Sequence, residues 1–125
     1  MLNSPSAFNK TLSARVSNFD TQTVKAVLPG EVSGSSVVFT LSLRNRADQV
    51  VDLDQLVVNL LDGNDDPATR ISSAPATQMP RALGKGTSAD ARFVFVVPAK
   101  ARKNITIEVS LTAEEPVLIF KGSVD

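Results

Sequence analysis

In the stretch SVVFTLSLRN, Ser36 to Asn45, Val37, Phe39, Leu41 and Leu43 fall on one face of an extended chain and Val38, Thr40, Ser42 and Arg44 on the other. Side chains alternate with period two along a strand, so this pattern specifies a β-strand with one buried face. The segment NITIEVSL repeats it: Ile105, Ile107, Val109 and Leu111 oppose Asn104, Thr106, Glu108 and Ser110. In ARFVFVVP, Phe93, Phe95 and Val97 alternate with Arg92, Val94 and Val96 before Pro98 closes the run. Apolar residues on both faces of that third segment predict a central strand, partly covered on its second side. These three are the expected core strands.

Weaker strand patterns fill the intervals. Ser13–Phe19 and Thr23–Leu28 precede a turn at Pro29-Gly30, Val50–Asp54 and Leu56–Leu61 follow the first core strand, and Pro116–Gly122 ends the alternation. Asn45 to Gln49 is a short polar connection of the kind that closes a hairpin. No window carries helical spacing with caps at both ends, although a single helical turn fits Leu53–Leu56. Seven or eight short strands separated by Gly, Pro, Asn and Asp predict an all-β, antiparallel β-sandwich, with a small closed barrel as the alternative. The 125 residues suit one domain, 1–125, with 1–12 as a flexible or loosely docked N-terminal segment. The exception to compactness is Asp62 to Thr87, 26 residues with three prolines and three glycines, in which Thr77–Leu83 is a candidate edge strand.

Composition closes most routes to chemistry. The chain has no His, Cys, Trp or Tyr, which removes the commonest general base, the usual zinc ligands and the thiolate nucleophile. Its 13 basic and 13 acidic residues cancel, so no basic field advertises a nucleic-acid partner. No apolar run approaches the roughly 20 residues that span a bilayer. The opening MLNSPSAFNK lacks the basic and apolar regions of a signal peptide. Either the chain is a cytoplasmic protein, or its export signal or anchor has been removed.

The order of the segments resembles a known family. An alternating strand ending in Asn (VVFTLSLRN) leads to a short polar turn and an apolar-acidic segment (VVDLDQLVVNL). Asp-Gly (LDGNDD), a Pro-rich excursion and a Gly-x-Gly before a Phe-x-Phe strand closed by Val-Pro (GKGTSADARFVFVVP) complete the pattern. This is similar to the bacterial immunoglobulin-like domains of the secreted immunoprotective-antigen type, which include many lipoprotein domains of unknown function. The resemblance runs from Val32 to Gly122 and implies an immunoglobulin-like sandwich outside the cytoplasm, secreted or held at the cell envelope by an anchor absent from this chain. It brings no catalytic residues with it. Two features depart from the family's pattern: the export signal, and the Trp or Tyr that many such sandwiches place in the core.

The candidate sites follow from charge and turn chemistry. Asp62, Asn64, Asp65 and Asp66 are the candidate metal ligands, with calcium as the candidate ion and no other cofactor expected. Set against an EF-hand, Asp62, Asn64 and Asp66 fit the first, third and fifth positions of about twelve, but Pro67 stands where glycine must turn the loop and Ser73 where a glutamate must close it. The acids are therefore read first as turn formers at a strand exit. Asp48, Asp52, Asp54, Glu114 and Glu115 could supply paired carboxylates for glycoside chemistry, but without aromatic platforms they read as solvated strand ends. Lys100-Ala101-Arg102-Lys103 reads as a solvated basic link, and Gly84-Lys85-Gly86-Thr87 as a turn lacking phosphate-loop spacing. Asn9 and Asn104 head glycosylation sequons. The Asp62–Thr87 excursion is the candidate interaction loop, with Arg70, Met79, Arg81 and Lys85 as contact residues. The expected function is non-enzymatic interaction with a protein partner. A calcium- or glycan-binding module centred on residues 62–66, or a structural spacer domain, is the alternative.

Overall fold

The structure is a computed structural model, described over residues 6–7, 11–24, 34–71, 76–111 and 117–122. The expected turn at Pro29-Gly30, the Asn9 sequon and Glu114–Glu115 lie outside these residues. Ten antiparallel strands are present among them: β1 (Ser6–Ala7), β2 (Leu12–Val24), β3 (Gly34–Asn45), β4 (Val51–Asp52), β5 (Val57–Leu61), β6 (Thr69–Ile71), β7 (Ala82–Leu83), β8 (Ser88–Val96), β9 (Ile105–Ser110) and β10 (Leu118–Gly122). The five-stranded sheet runs β1-β2-β3-β8-β6, the three-stranded sheet β10-β9-β5, and β4 pairs with β7. The chain is all-β.

The three strongest alternations are β3, β8 and β9, and they carry the core. Phe39, Leu41 and Leu43 of β3, Phe93 and Phe95 of β8, and Ile105, Ile107 and Val109 of β9 belong to one buried cluster contributed by both larger sheets. Burying such side chains removes apolar area from water at about 25 cal/mol per Å², which makes this cluster the main stabilising term. Val94 faces the other way. With Val38 and Ile71 it forms a second buried cluster on the far side of the five-stranded sheet, so β8 is covered on both faces, as its mixed pattern predicts.

Several expectations are corrected. The strand expected at Ser13–Phe19 and the start of the one expected at Thr23–Leu28 are one, β2, broken in register rather than in path, while residues 25–28 lie outside the described residues. Ser17 pairs with Thr40 but Asp20 with Val38, so β2 carries one extra residue there. Asn18 accommodates it at φ 54°, a left-handed conformation that Asn tolerates better than most residues. The bulge moves the core face from Leu12, Ala14 and Val16 to Phe19, and this masks the continuity in the sequence. The N-terminal segment is paired where described, Ser6 with Ala14 and Ala7 with Ser13, and Leu12 is buried. The Asp62–Thr87 excursion is not structureless: it contains β6 at the edge of the five-stranded sheet, and only Ala82–Leu83 of the expected edge strand. Leu53–Leu56 is a single hydrogen-bonded turn, Leu56 N–H donating to the Leu53 carbonyl at 3.1 Å.

Asn45 to Gln49 is not a hairpin loop either. β3 does not pair with β4, and the connection carries the chain out of the five-stranded sheet toward β7. Asn45 fixes this exit. Its residue is fully buried, and its side-chain Nδ2 donates to the carbonyls of Gln49 (2.8 Å), Leu83 (3.1 Å) and Gly84 (3.2 Å). Its Oδ1 accepts from the Ala47 N–H at 2.9 Å. One amide therefore satisfies the backbone of two separate connections. Asn45→Ala is expected to lower stability by about 2 kcal/mol in urea unfolding, because buried carbonyls lose their donor. Asn45→Asp is expected to lose at least as much at neutral pH and to recover part of it in acid. Facing three carbonyls, the new carboxyl has a raised folded pKa, so the penalty grows as pH rises through the carboxylate range. Wild-type stability in Asn45→Ala would show that the amide is not the clamp.

Candidate functional site

The acidic loop is a corner between sheets. Leu61 bridges to Pro67, the Asp62 N–H donates to the Asp66 carbonyl (2.9 Å), and the Asp65 N–H donates to the Asp62 carbonyl (3.0 Å). With Asp65 at φ 62°, this matches a three-residue hairpin loop whose last residue is left-handed. The Asp62 carboxylate turns back on its own loop, its Oδ1 accepting from the N–H groups of Asn64 (2.8 Å) and Asp66 (3.1 Å). Among the described residues, no group of three acidic side chains converges in a way that could hold a metal ion.

The basic link docks against this corner. Lys100-Ala101-Arg102-Lys103 overlaps a turn of 3-10 helix, Ala99–Ala101, and the Gly63 N–H donates to the Ala101 carbonyl at 2.8 Å. Ala101 is buried, and Arg102 is held inward by its Nε to the Val97 carbonyl (3.3 Å) and its Nη2 to the Ser35 hydroxyl. The link is thus only partly solvated: Lys100 and Lys103 face solvent while Arg102 pins β3 to the end of β8. A Cβ on Gly63 would lie 2.4 Å from the Lys103 carbonyl oxygen, so this glycine is required by close approach of two backbones.

The candidate contact residues separate. Arg70 and Met79 come together in a cleft of about 230 Å³ lined also by Leu53, Leu56, Val58, Gln78 and Phe93. The cleft opens between β6, an edge of the five-stranded sheet, and β5, an edge of the three-stranded sheet. Arg70 pairs with Phe95, and the core face of β8 carries Phe95 and Phe93, so Arg70 leans toward the core at the rim of the sheet. Its guanidinium carbon lies 4.7 Å from the Phe93 ring centroid, a cation–π contact. Burial against that wall draws its pKa below the ordinary arginine value. Beyond the backbone pairing with Phe95, the Phe93 ring is the contact that positions the Arg70 guanidinium.

Arg81 and Lys85 are not part of this cleft. The Arg81 carbonyl accepts from the Leu53 N–H (2.8 Å), extending the β4–β7 pairing. Lys85 sits in a turn closed by Thr87, whose N–H (3.2 Å) and hydroxyl (2.6 Å) both donate to the Gly84 carbonyl. Phe93 was readable from the sequence only as core, and Leu53, Leu56 and Val58 only as strand residues. Their convergence depends on which strands lie at the sheet edges. A second concave region lies on the outer face of the five-stranded sheet, where adjoining hollows of about 300 and 280 Å³ share Asn18, Thr40 and Arg92. Asp20, Gln22, Thr77 and Asp90 complete its polar lining.

Comparison with solved structures supports the fold. The chain superposes on the yjhA protein from Bacillus subtilis with a TM-score of 0.70 at 13% identity, covering 89% of this chain and 91% of that one. It superposes on a functionally unknown protein from Listeria monocytogenes EGD-e with a TM-score of 0.65 at 10% identity, over 93% and 79%. A conserved hypothetical protein from Bacillus anthracis gives 0.63 at 14% identity, over 98% and 93%. At these identities the likeness concerns the fold alone. No protein-family profile and no curated protein matches the chain.

Two outcomes follow for the corner. Gly63→Ala is expected to destabilise by about 1–3 kcal/mol, read as a lowered melting temperature, because backbone atoms of the basic link must move. Asp62→Ala is expected to cost about 1 kcal/mol for its lost loop hydrogen bonds, with Asp62→Asn close to wild type because it keeps the acceptor. A melting temperature that rises in millimolar calcium, and ceases to do so in Asp62→Asn and Asp66→Asn, would instead make the loop a cation site.

Proposed function

We propose that this chain is an immunoglobulin-like β-sandwich that acts without catalysis, binding a protein partner outside the cytoplasm at the bacterial envelope or as a secreted domain. The observation that carries the reading is the Arg70–Phe93–Met79 cleft. At about 230 Å³ it is smaller than the roughly 300–1,000 Å³ of pockets that enclose drug-sized ligands or cofactors, but it is the right scale for one anchoring side chain. Protein interfaces concentrate their energy in such anchors, seated in apolar pockets and enriched in aromatic residues and arginine. The extracytoplasmic location is supported by the resemblance of segment order alone. The glycan alternative is favoured by the outer-face groove, where Asn18, Asp20, Gln22, Asp90 and Arg92 offer donors and acceptors for sugar hydroxyls, and not by the 62–66 corner.

Site-specific crosslinking tests the protein-binding reading. A photoreactive residue in place of Gln78, on the cleft wall, is expected to yield a discrete adduct in cells that express the protein. The same group in place of Lys85, in the Gly84–Thr87 turn, is expected to yield none. Equal labelling from both positions, or no adduct from Gln78, would remove the cleft as the docking site.

A further inference from the structure

We propose that the chain forms a two-fold dimer in which β10 pairs antiparallel with β10 of a second copy, joining two three-stranded sheets into one of six strands. This edge is separate from the Arg70 cleft, whose lining includes no residue of β10. An edge strand carries a row of N–H and C=O groups free to bond another chain, and folds blunt such edges by shortness, charge or cover. β1, β4 and β7 have two residues each, and β6 has three with Arg70 among them. β5 has five, but the chain that leaves it returns along its outer side: the Ala68 N–H donates to the Leu60 carbonyl (2.8 Å) and Leu61 bridges to Pro67. β10 also has five residues, paired one for one with β9, and among the described residues no strand pairs along its other side.

The outward side of this edge is apolar. Leu118 and Phe120 are buried in the core, while Ile119 is 53% exposed and Val117, just before the strand, 47%. Val57 of β5, paired with Ser110 of β9, is 48% exposed. Three of the four large apolar side chains exposed among the described residues thus lie on or beside this small sheet. A second copy suits the edge because pairing about a two-fold axis at Ile119 uses all of it. Ile119 then faces its own equivalent, Leu118 faces Phe120, and Val117 faces Lys121, the single charge on the strand. Moving the axis to Lys121 would set two like charges directly opposite, which destabilises a strand pair. The contact is isologous and closes at two copies, since both ends of the joined sheet are β5 strands whose outer sides are already bonded. A single strand pair buries less than the roughly 1,200 Å² of a standard interface, so the dimer is weak and forms at high concentration.

Sedimentation equilibrium of the full chain tests this. The mass is expected to rise from one copy toward two between about 1 μM and 1 mM, the range of a small interface. Ile119→Lys puts a charge on an already exposed position and is expected to weaken association at least about tenfold, with an unchanged circular dichroism spectrum. Should that variant fold poorly, Ile119→Thr keeps strand propensity and carries the same expectation with a smaller shift. The chain has no Cys, so Ile119→Cys reports the register directly. Opposed residues of antiparallel strands have Cβ atoms about 4.5–5.5 Å apart, and mild oxidation is expected to yield a disulfide-linked dimer. Val57→Cys, exposed on β5 of the same sheet, is expected to yield none. A single-copy mass up to 1 mM overturns the proposal, and masses beyond two copies overturn its two-fold closure. A dimer that Ile119→Lys leaves intact, or equal crosslinking from positions 119 and 57, also overturns it by removing β10 as the contact.

Discussion

Phe39 is the side chain on which the rest of the structure depends. Its ring lies 5.8 Å from Phe93 and 6.0 Å from Phe95, stacked on both, and 5.8 Å from Phe19 in a tilted contact. Aromatic pairs at such separations contribute about 0.5–1.5 kcal/mol each beyond the area they bury. Phe39 is fully buried at the centre of β3, which is itself flanked by β2 and β8. Many sandwiches of the resembled type use a Trp or Tyr in the core, and this chain has neither. Four phenylalanines from three adjacent strands occupy that role without a polar atom to satisfy. The bulge at Asn18 then has a structural purpose: if Asn18 took a regular place in the ladder, Phe19 would fall on the outer face and the quartet would lose a member.

The same stack extends to the cleft. Phe93 meets Phe39 in the core, and its ring also carries the Arg70 guanidinium. The ring that supports a charged side chain at the rim is thus held by a buried aromatic contact in the core. This coupling explains how a short edge strand of three residues, β6, can present an arginine in a defined position. Its precision is borrowed from β8.

Much of this architecture was legible in the sequence, and the limits have physical causes. β3, β8 and β9 were readable because each buries one face over most of its length, and burial writes a period-two pattern directly. β6 was not, because a three-residue strand is too short to establish a period, and of the edge strand expected at Thr77–Leu83 only β7 forms; the two exist through pairing with β8 and β4. β2 was split because a single inserted residue reverses its parity. Asn45 looked like a turn former by residue type, yet its amide is buried and bonds segments 38 and 39 residues away. That role depends on long-range closure, which no local pattern records. Arg70 and Met79 were named together because they share an excursion, and the fold brings them into one cleft. Arg81 and Lys85 share it too and lie outside the cleft, since proximity in sequence says little about which strand edge a residue reaches.

The position of Arg70 also bears on how the edge of the five-stranded sheet is protected. Edge strands expose unpaired backbone groups and invite pairing with other chains, and an inward-leaning charge is one way of blocking this. β6 is such an edge, and Arg70 is such a charge. A second strand pairing along β6 would bury the Arg70 guanidinium without a counter-charge, which is costly, so the charge protects the edge that the same residue helps to build.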